Sequence, residues 1–283
     1  MATRGNQSHR IAPIASAYHR LCRVPSPDAE PAIYYASMRT SNNTVLITGG
    51  GSGIGLALAR RFLNAGSRVV ICGRREAKLR EARQIDNRLD TLVADVSTSA
   101  GRVALVESIL RDFPALNVLV NNAGIQRRIR LEDQEPWETA REELAINLDA
   151  PIHLTRLLLP HLLSKPDAAI INITSGLAFA PLARTPLYSA TKAALHSFTL
   201  SLRHQVKDTP VSVIEIAPPA VDTDLGGPGL HTFGVNVDEF ADGVFAKLGG
   251  EDLEIGYGFG EQAMRASRTD LELLFARINA AQP

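Results

Sequence analysis

Apolar residues fall into short unbroken clusters, separated by longer stretches in which they recur every three or four positions. Residues 44–48, 68–72, 89–94, 116–120, 169–174 and 211–216 are apolar almost throughout and rich in β-branched side chains. Strands of that kind fit a sheet covered on both faces, because a half-exposed strand would alternate. The intervening periodicity predicts helices over 53–65, 76–84, 101–112, 136–163 and 186–207. A helix over 238–248, a short strand near 253–257 and a last helix over 261–279 follow. Regular alternation of strand and helix implies an α/β fold, a doubly wound parallel sheet of about seven strands with helices on both faces. Ligands of such sheets bind beyond the carboxyl ends of the strands, where the winding reverses. Functional residues are therefore expected in the loops after strands one, two, four, five and six.

Composition narrows the class. The 283 residues carry 30 Lys+Arg against 30 Asp+Glu, so the basic excess of a nucleic-acid binder is absent. Hydrophobic residues at 45% suit a globular core, and no apolar run reaches the roughly 20 residues of a membrane span. The two cysteines, Cys22 and Cys72, lack C-x-x-C spacing, which argues against a disulfide framework or a zinc site. A reducing, cytoplasmic setting follows as the default. Residues 1–37 stand apart, with four arginines against Asp28 and Glu30, four prolines and no sustained periodicity. Three readings of this segment stay open: an organelle transit peptide, a disordered interaction tail, or a mis-called start with translation beginning at Met38. Residues 38–283 read as a single domain.

After the first strand comes Thr48-Gly49-Gly50-Gly51-Ser52-Gly53-Ile54-Gly55, opening into a helix. Glycines there let the backbone turn sharply and approach a pyrophosphate at the helix N-terminus, although such a turn also serves as a plain connection. Gly49, Ser52, Gly53, Ile54 and Gly55 are the candidate contacts. The second strand ends in Gly73, where an NAD-type site carries an acid, and Arg74-Arg75 follow. Guanidinium groups suit a 2′-phosphate, so NADP(H) is expected over NAD(H); the plain alternative is two solvated arginines.

Tyr188 and Lys192 stand at i and i+4 and share one helix face, with Ser175 13 residues upstream at the end of the fifth strand. A tyrosine near pKa 10 is a poor base, and a neighbouring ammonium favours its phenolate. Pro151 has no N–H for the carbonyl of Asn147, which leaves that oxygen free to hold a water.

Together with Asn121-Asn122-Ala123-Gly124, these motifs resemble the short-chain dehydrogenase/reductase (SDR) family in its compact Rossmann-type form, over essentially all of residues 44–279. The resemblance implies roles. Tyr188 exchanges a proton with the substrate oxygen, Ser175 orients it, Lys192 holds the nicotinamide ribose, and Asn147 completes a proton relay. Asp95 and Val96 would meet the adenine, Asn122, Ala123 and Gly124 the adenosine ribose, and Pro218, Val221 and Thr223 the carboxamide end. A homodimer or homotetramer is implied, paired through the long helices. The chain departs from the family where Pro219 replaces a glycine, which should stiffen that turn. The Ala217-Pro-Pro-Ala-Val-Asp-Thr-Asp224 run and the segment from Tyr257 to Arg268 resemble one bacterial branch associated with D-alanine esterification of teichoic acids. A redox site has no evident means of forming an ester.

The expected function is an NADP(H)-dependent oxidoreductase acting on a small carbonyl or alcohol, without metal. An NADPH-binding regulator without turnover is the alternative, and an epimerase or dehydratase of the same family is a second. Leu177, Phe179, Leu182 and Leu187 are expected to wall the substrate pocket, and the glycine-rich loop after Thr223 to cover it. Cys72 should lie in the core and Trp137 should pack, and His196 and His204 should be solvated or interfacial.

Overall fold

All six apolar runs become strands, because a strand buried on both faces has no polar side to show. The computed structural model describes residues 38–132 and 136–280. The strands are β1 (Thr44–Thr48), β2 (Arg68–Gly73), β3 (Asp90–Val93), β4 (Val118–Asn121), β5 (Ala168–Ile173), β6 (Val211–Ala217) and a short β7 (Glu254–Gly256). They pair in parallel in the order β3-β2-β1-β4-β5-β6-β7. The winding therefore reverses between β1 and β4, which opens a crevice at their carboxyl ends.

Side chains alternate across the sheet even though both faces are apolar. Val45, Ile47, Val69 and Ile71 face α1 (Gly53–Asn64), α2 (Glu76–Ile85) and α7 (Val237–Lys247). Leu46, Val70, Cys72 and Leu119 face α3 (Ser99–Asp112), α5 (Ala150–Leu162) and α6 (Pro186–Gln205). Cys72 lies in the core as expected. No helix among the described residues is long and apolar enough to cross a membrane. The expectations for residues 1–37 lie outside the described residues.

Two predicted helices are divided. The stretch over 136–163 forms α4 (Trp137–Leu144), a π-turn (Ala145–Asp149) and then α5. In the π-turn the Ala150 N–H reaches back five residues to the Ala145 carbonyl. Pro151 then falls in the first turn of α5, where its missing N–H costs little. The stretch over 261–279 forms α8 (Phe259–Met264) and α9 (Arg268–Ala280). Ser267 starts the second of these: its hydroxyl accepts from Asp270 N at 3.2 Å and donates to the Asp270 carboxylate at 2.7 Å. Trp137, expected to pack, is instead 58% exposed at the first position of α4.

Candidate active site

Thr48 couples the two loops that flank the crevice. Its hydroxyl accepts from the backbone N–H groups of Asn122 and Ala123, each at 3.0 Å. In return the Asn122 amide donates to the Thr48 carbonyl at 2.9 Å. The loops lie so close that a Cβ on Gly49 would meet the Ala123 Cα at 2.8 Å, and Gly49 also has φ +65°. Only glycine meets both demands.

Gly53 opens α1 at φ +53°, with Thr223 packed over it. Ser52 makes no side-chain cap and the first turn holds no acidic residue, so the helix N-terminus is left to a ligand. Gly55 differs from expectation. It does not line the cleft; a Cβ there would strike the Asn122 amide at 2.5 Å and the Gly49 carbonyl at 2.7 Å, so its role is close packing beneath the loop.

Arg74 and Arg75 follow β2 at the cleft rim, with Lys78 one turn further on. Arg74 pairs with Glu142, which also pairs with Arg127. Those two guanidiniums hold the Glu142 carboxyl below its ordinary range. Arg75, exposed at the cap of α2, has no ion pair among the described residues. Asp95, Val96, Asn122, Ala123 and Gly124 line the same cleft. Pro218, Val221 and Thr223 line its other end. The Pro218 carbonyl accepts from Gly176 N at 2.9 Å, and the Thr223 hydroxyl donates to the Val221 carbonyl at 3.3 Å. The loop beyond is built of turns, with Gly226, Gly227 and Gly229 at positive φ.

Ser175, immediately beyond β5, shares a hydrogen bond with Tyr188 and accepts from Leu177 N at 3.1 Å. The Lys192 ammonium lies 5.5 Å from the Tyr188 ring centroid and donates to the Ile173 carbonyl at 2.7 Å. Asn147, in the π-turn, does not line the cleft. Its amide spans Ile125, accepting from N at 2.9 Å and donating to O at 2.8 Å, and also reaches Thr191 at 3.3 Å. Gly124 nevertheless lies against both Asn147 and Lys192.

The electrostatics differ from the simple expectation of a lysine-activated phenolate. Burial pushes the Tyr188 phenol up to about 12, against the opposing Ser175 bond, so with no dinucleotide bound it is a phenol. Burial also lowers Lys192 to about 8. Sequence reasoning missed Glu143, one helical turn before Asn147. It is fully buried, with both carboxyl oxygens lacking a hydrogen-bond partner. Desolvation raises it to about 7. When ionised, it favours the Lys192 ammonium and opposes the Tyr188 phenolate. The available signal was a carboxylate set three and four positions before Ile146 and Asn147, on an inward helix face.

The groups converge on one cleft of about 1250 Å³, larger than the roughly 300–1,000 Å³ typical of a small-molecule pocket. Leu177 and Leu182 wall it as expected. Phe179 and Leu187 do not: Phe179 packs edge-to-face against His196, with ring centroids 4.7 Å apart. His196 in turn is half-buried, its Nδ1 2.8 Å from Glu215, which accepts from Thr174 at 2.7 Å. His196 is therefore not simply solvated, because β6 places a buried carboxylate against it. The uncapped α1 terminus, the glycine cradle and the basic rim fit a phosphorylated dinucleotide.

Comparison with known proteins agrees with this geometry. A family model for short chain dehydrogenase matches residues 43–230. The "Uncharacterized oxidoreductase DltE" of Bacillus subtilis (strain 168) is 47% identical over 251 residues, covering 87% of this chain and 100% of that protein. A short chain dehydrogenase from Burkholderia cenocepacia J2315, solved in complex with NADP, superposes with a TM-score of 0.74 at 26% identity, covering 87% of this chain and 100% of that one. A 3-ketoacyl-(acyl-carrier-protein) reductase from Brucella melitensis, complexed with NADH, has a TM-score of 0.71 at 26% identity, covering 78% and 99%. The chain belongs to the short chain dehydrogenase family and is an oxidoreductase of that family.

Proposed function

We propose that the protein reduces a carbonyl, or oxidises the matching alcohol, with NADP(H) and with Tyr188 as the acid/base. The carrying observation is the convergence of Ser175, Tyr188 and Lys192 on the cleft that also holds the glycine loop. When bound, the dinucleotide supplies or accepts the hydride. In reduction, one hydride and one proton add across C=O, and the proton comes from the Tyr188 hydroxyl. Ser175 fixes the substrate oxygen, and the Tyr188 phenol is the correct starting state for an acid. Lys192 and the oxidised nicotinamide's charge would then favour the phenolate left behind. Asn147 acts from behind the cleft, holding Ile125 and the start of the relay. An NADPH-binding regulator without turnover is the rival; turnover of any carbonyl or alcohol excludes it.

NADP(H) preference rests on Arg74, Arg75 and a glycine in place of the acid at the end of β2. Because Glu142 already engages Arg74, Arg75 carries more of the 2′-phosphate contact. The double variant Arg74→Ala/Arg75→Ala should raise KM for NADPH at least about tenfold, in line with charge-assisted bonds of roughly 1.5–3 kcal/mol. KM for NADH should change far less. An NADH preference in the unaltered protein contradicts this part of the proposal.

A homodimer or homotetramer completes the proposal. Leu163, just past α5, and Leu200 on α6 are large apolar side chains left exposed at the helices expected to pair. Light scattering should give a mass of at least two chains; a monomer at working concentration contradicts it.

A further inference from the structure

The cleft lining also holds two arginines, Arg128 and Arg184, that are not neutralised by an ion pair among the described residues. Arg184 lies in the turn just before α6, four residues ahead of Tyr188, and its Nε is buried with no hydrogen-bond partner. The Ile129 N–H donates to the Arg184 carbonyl at 3.0 Å, which ties the loop after β4 to the loop before α6. Arg128 is thereby brought close enough for its charge to act on Arg184, and both guanidiniums act on His231. His231 comes from the loop after Thr223, and its Nδ1 is buried and unpartnered. Neither Arg128 nor Arg184 forms an ion pair among the described residues, whereas the adjacent Arg127 is engaged by Glu142 and the Thr139 carbonyl. Asp222 acts on His231, and Asp224 lines the cleft without pairing with either arginine.

Like charges held together around unpartnered buried donors are costly unless an anion joins them. Three separate chain segments converge to build this arrangement, in the cleft that Tyr188, Leu177 and Leu182 also line. We propose that Arg128, Arg184 and His231 form an oxyanion subsite that binds the carboxylate of a short oxo or hydroxy acid, with its carbonyl or alcohol presented to Tyr188. This rests on the oxidoreductase reading above and names the class of substrate. The carboxylate accepts from the guanidinium groups of Arg184 and Arg128, and its charge favours the imidazolium of His231. The loop after Thr223 contributes His231, so an acidic substrate ties that loop down over the cleft.

The test compares short α-, β- and γ-oxo acids with their methyl esters and with hydroxyacetone phosphate, following NADPH oxidation by the full chain. For the best-used acid, kcat/KM should exceed that of its ester at least about tenfold. That ratio should fall at least about tenfold in Arg184→Gln and in Arg128→Gln, and recover in part in Arg184→Lys. Malonate titrated calorimetrically into the NADP⁺-saturated protein should bind, and bind at least about tenfold more weakly to Arg184→Gln; malonamide should not bind. Esters used as well as acids, or a ratio unmoved by both glutamine variants, overturns the subsite and leaves the redox reading intact. Preference for the ketone phosphate overturns the carboxylate assignment. Malonate binding that depends on Arg184, without turnover of any carbonyl, supports the subsite and retires the redox reading.

Discussion

Tyr188→Phe should lower kcat for any carbonyl the protein reduces by roughly 10²–10⁴-fold, the usual contribution of a positioned acid. The substitution removes one oxygen. The ring remains where it is, packed at the cleft floor beside Lys192. What disappears is the hydroxyl that shares a hydrogen bond with Ser175 and holds the transferable proton. NADPH affinity, read by fluorescence titration, should move far less than kcat, because the glycine loop and the α1 N-terminus do not involve that oxygen. Tyr188→Phe retaining more than about a tenth of the starting kcat would place the proton elsewhere.

The second large effect concerns Glu143 and stability. Its folded-state pKa, about 7, lies above the ordinary value of 4.5 for an exposed glutamate. Below pH 4.5 both folded and unfolded chains carry the protonated group, and it imposes no penalty. Between 4.5 and 7 the unfolded chain ionises while the folded one resists, so stability falls as pH rises. Above 7 the penalty is constant. Glu143→Gln cannot ionise and should escape it. Its melting temperature relative to the unaltered protein should therefore climb across pH 4.5–7, by roughly 10 °C for a penalty of about 3 kcal/mol. Lys192 and Tyr188, perturbed to about 8 and about 12, change charge outside that window. A melting difference independent of pH would mean that Glu143 is ionised and compensated in the folded protein.

The fold was legible because its determinants are local. Val45-Leu-Ile47 must be a strand buried on both faces, and the glycines after Thr48 can only be a turn into a helix. The division of α4 from α5 was not legible. Pro151 marks the neighbourhood, but whether the chain kinks or takes up a π-turn depends on how α4 and α5 pack on the sheet. The break between α8 and α9 had a local mark in Ser267-Arg-Thr-Asp270, a cap signature that an apolar periodicity conceals.

At the site, Ser175, Tyr188 and Lys192 belong to adjacent elements with fixed spacing, and their convergence follows from the topology. Gly55 and Asn147 were legible as positions, but whether they touch a ligand or hold the groups that do is decided by packing. Arg128, Arg184 and His231 come from three loops with no common period, and their missing counter-charge exists only in three dimensions. Glu143 is similar: beside Glu142 it reads as one of two solvated acids on a helix. One of the pair joins Arg74 and Arg127, and the other turns inward toward Lys192.

The central claim is hydride transfer between a nicotinamide and a carbon substrate in this cleft. It is tested most directly with NADPH carrying deuterium at C4 of the nicotinamide, prepared as each diastereomer, and a carbonyl that the protein reduces. Mass spectrometry should find one deuterium at the former carbonyl carbon per NADPH oxidised, from one diastereomer only. NADPH consumed without label in the product, or tight NADPH binding with no product from any carbonyl, would contradict it.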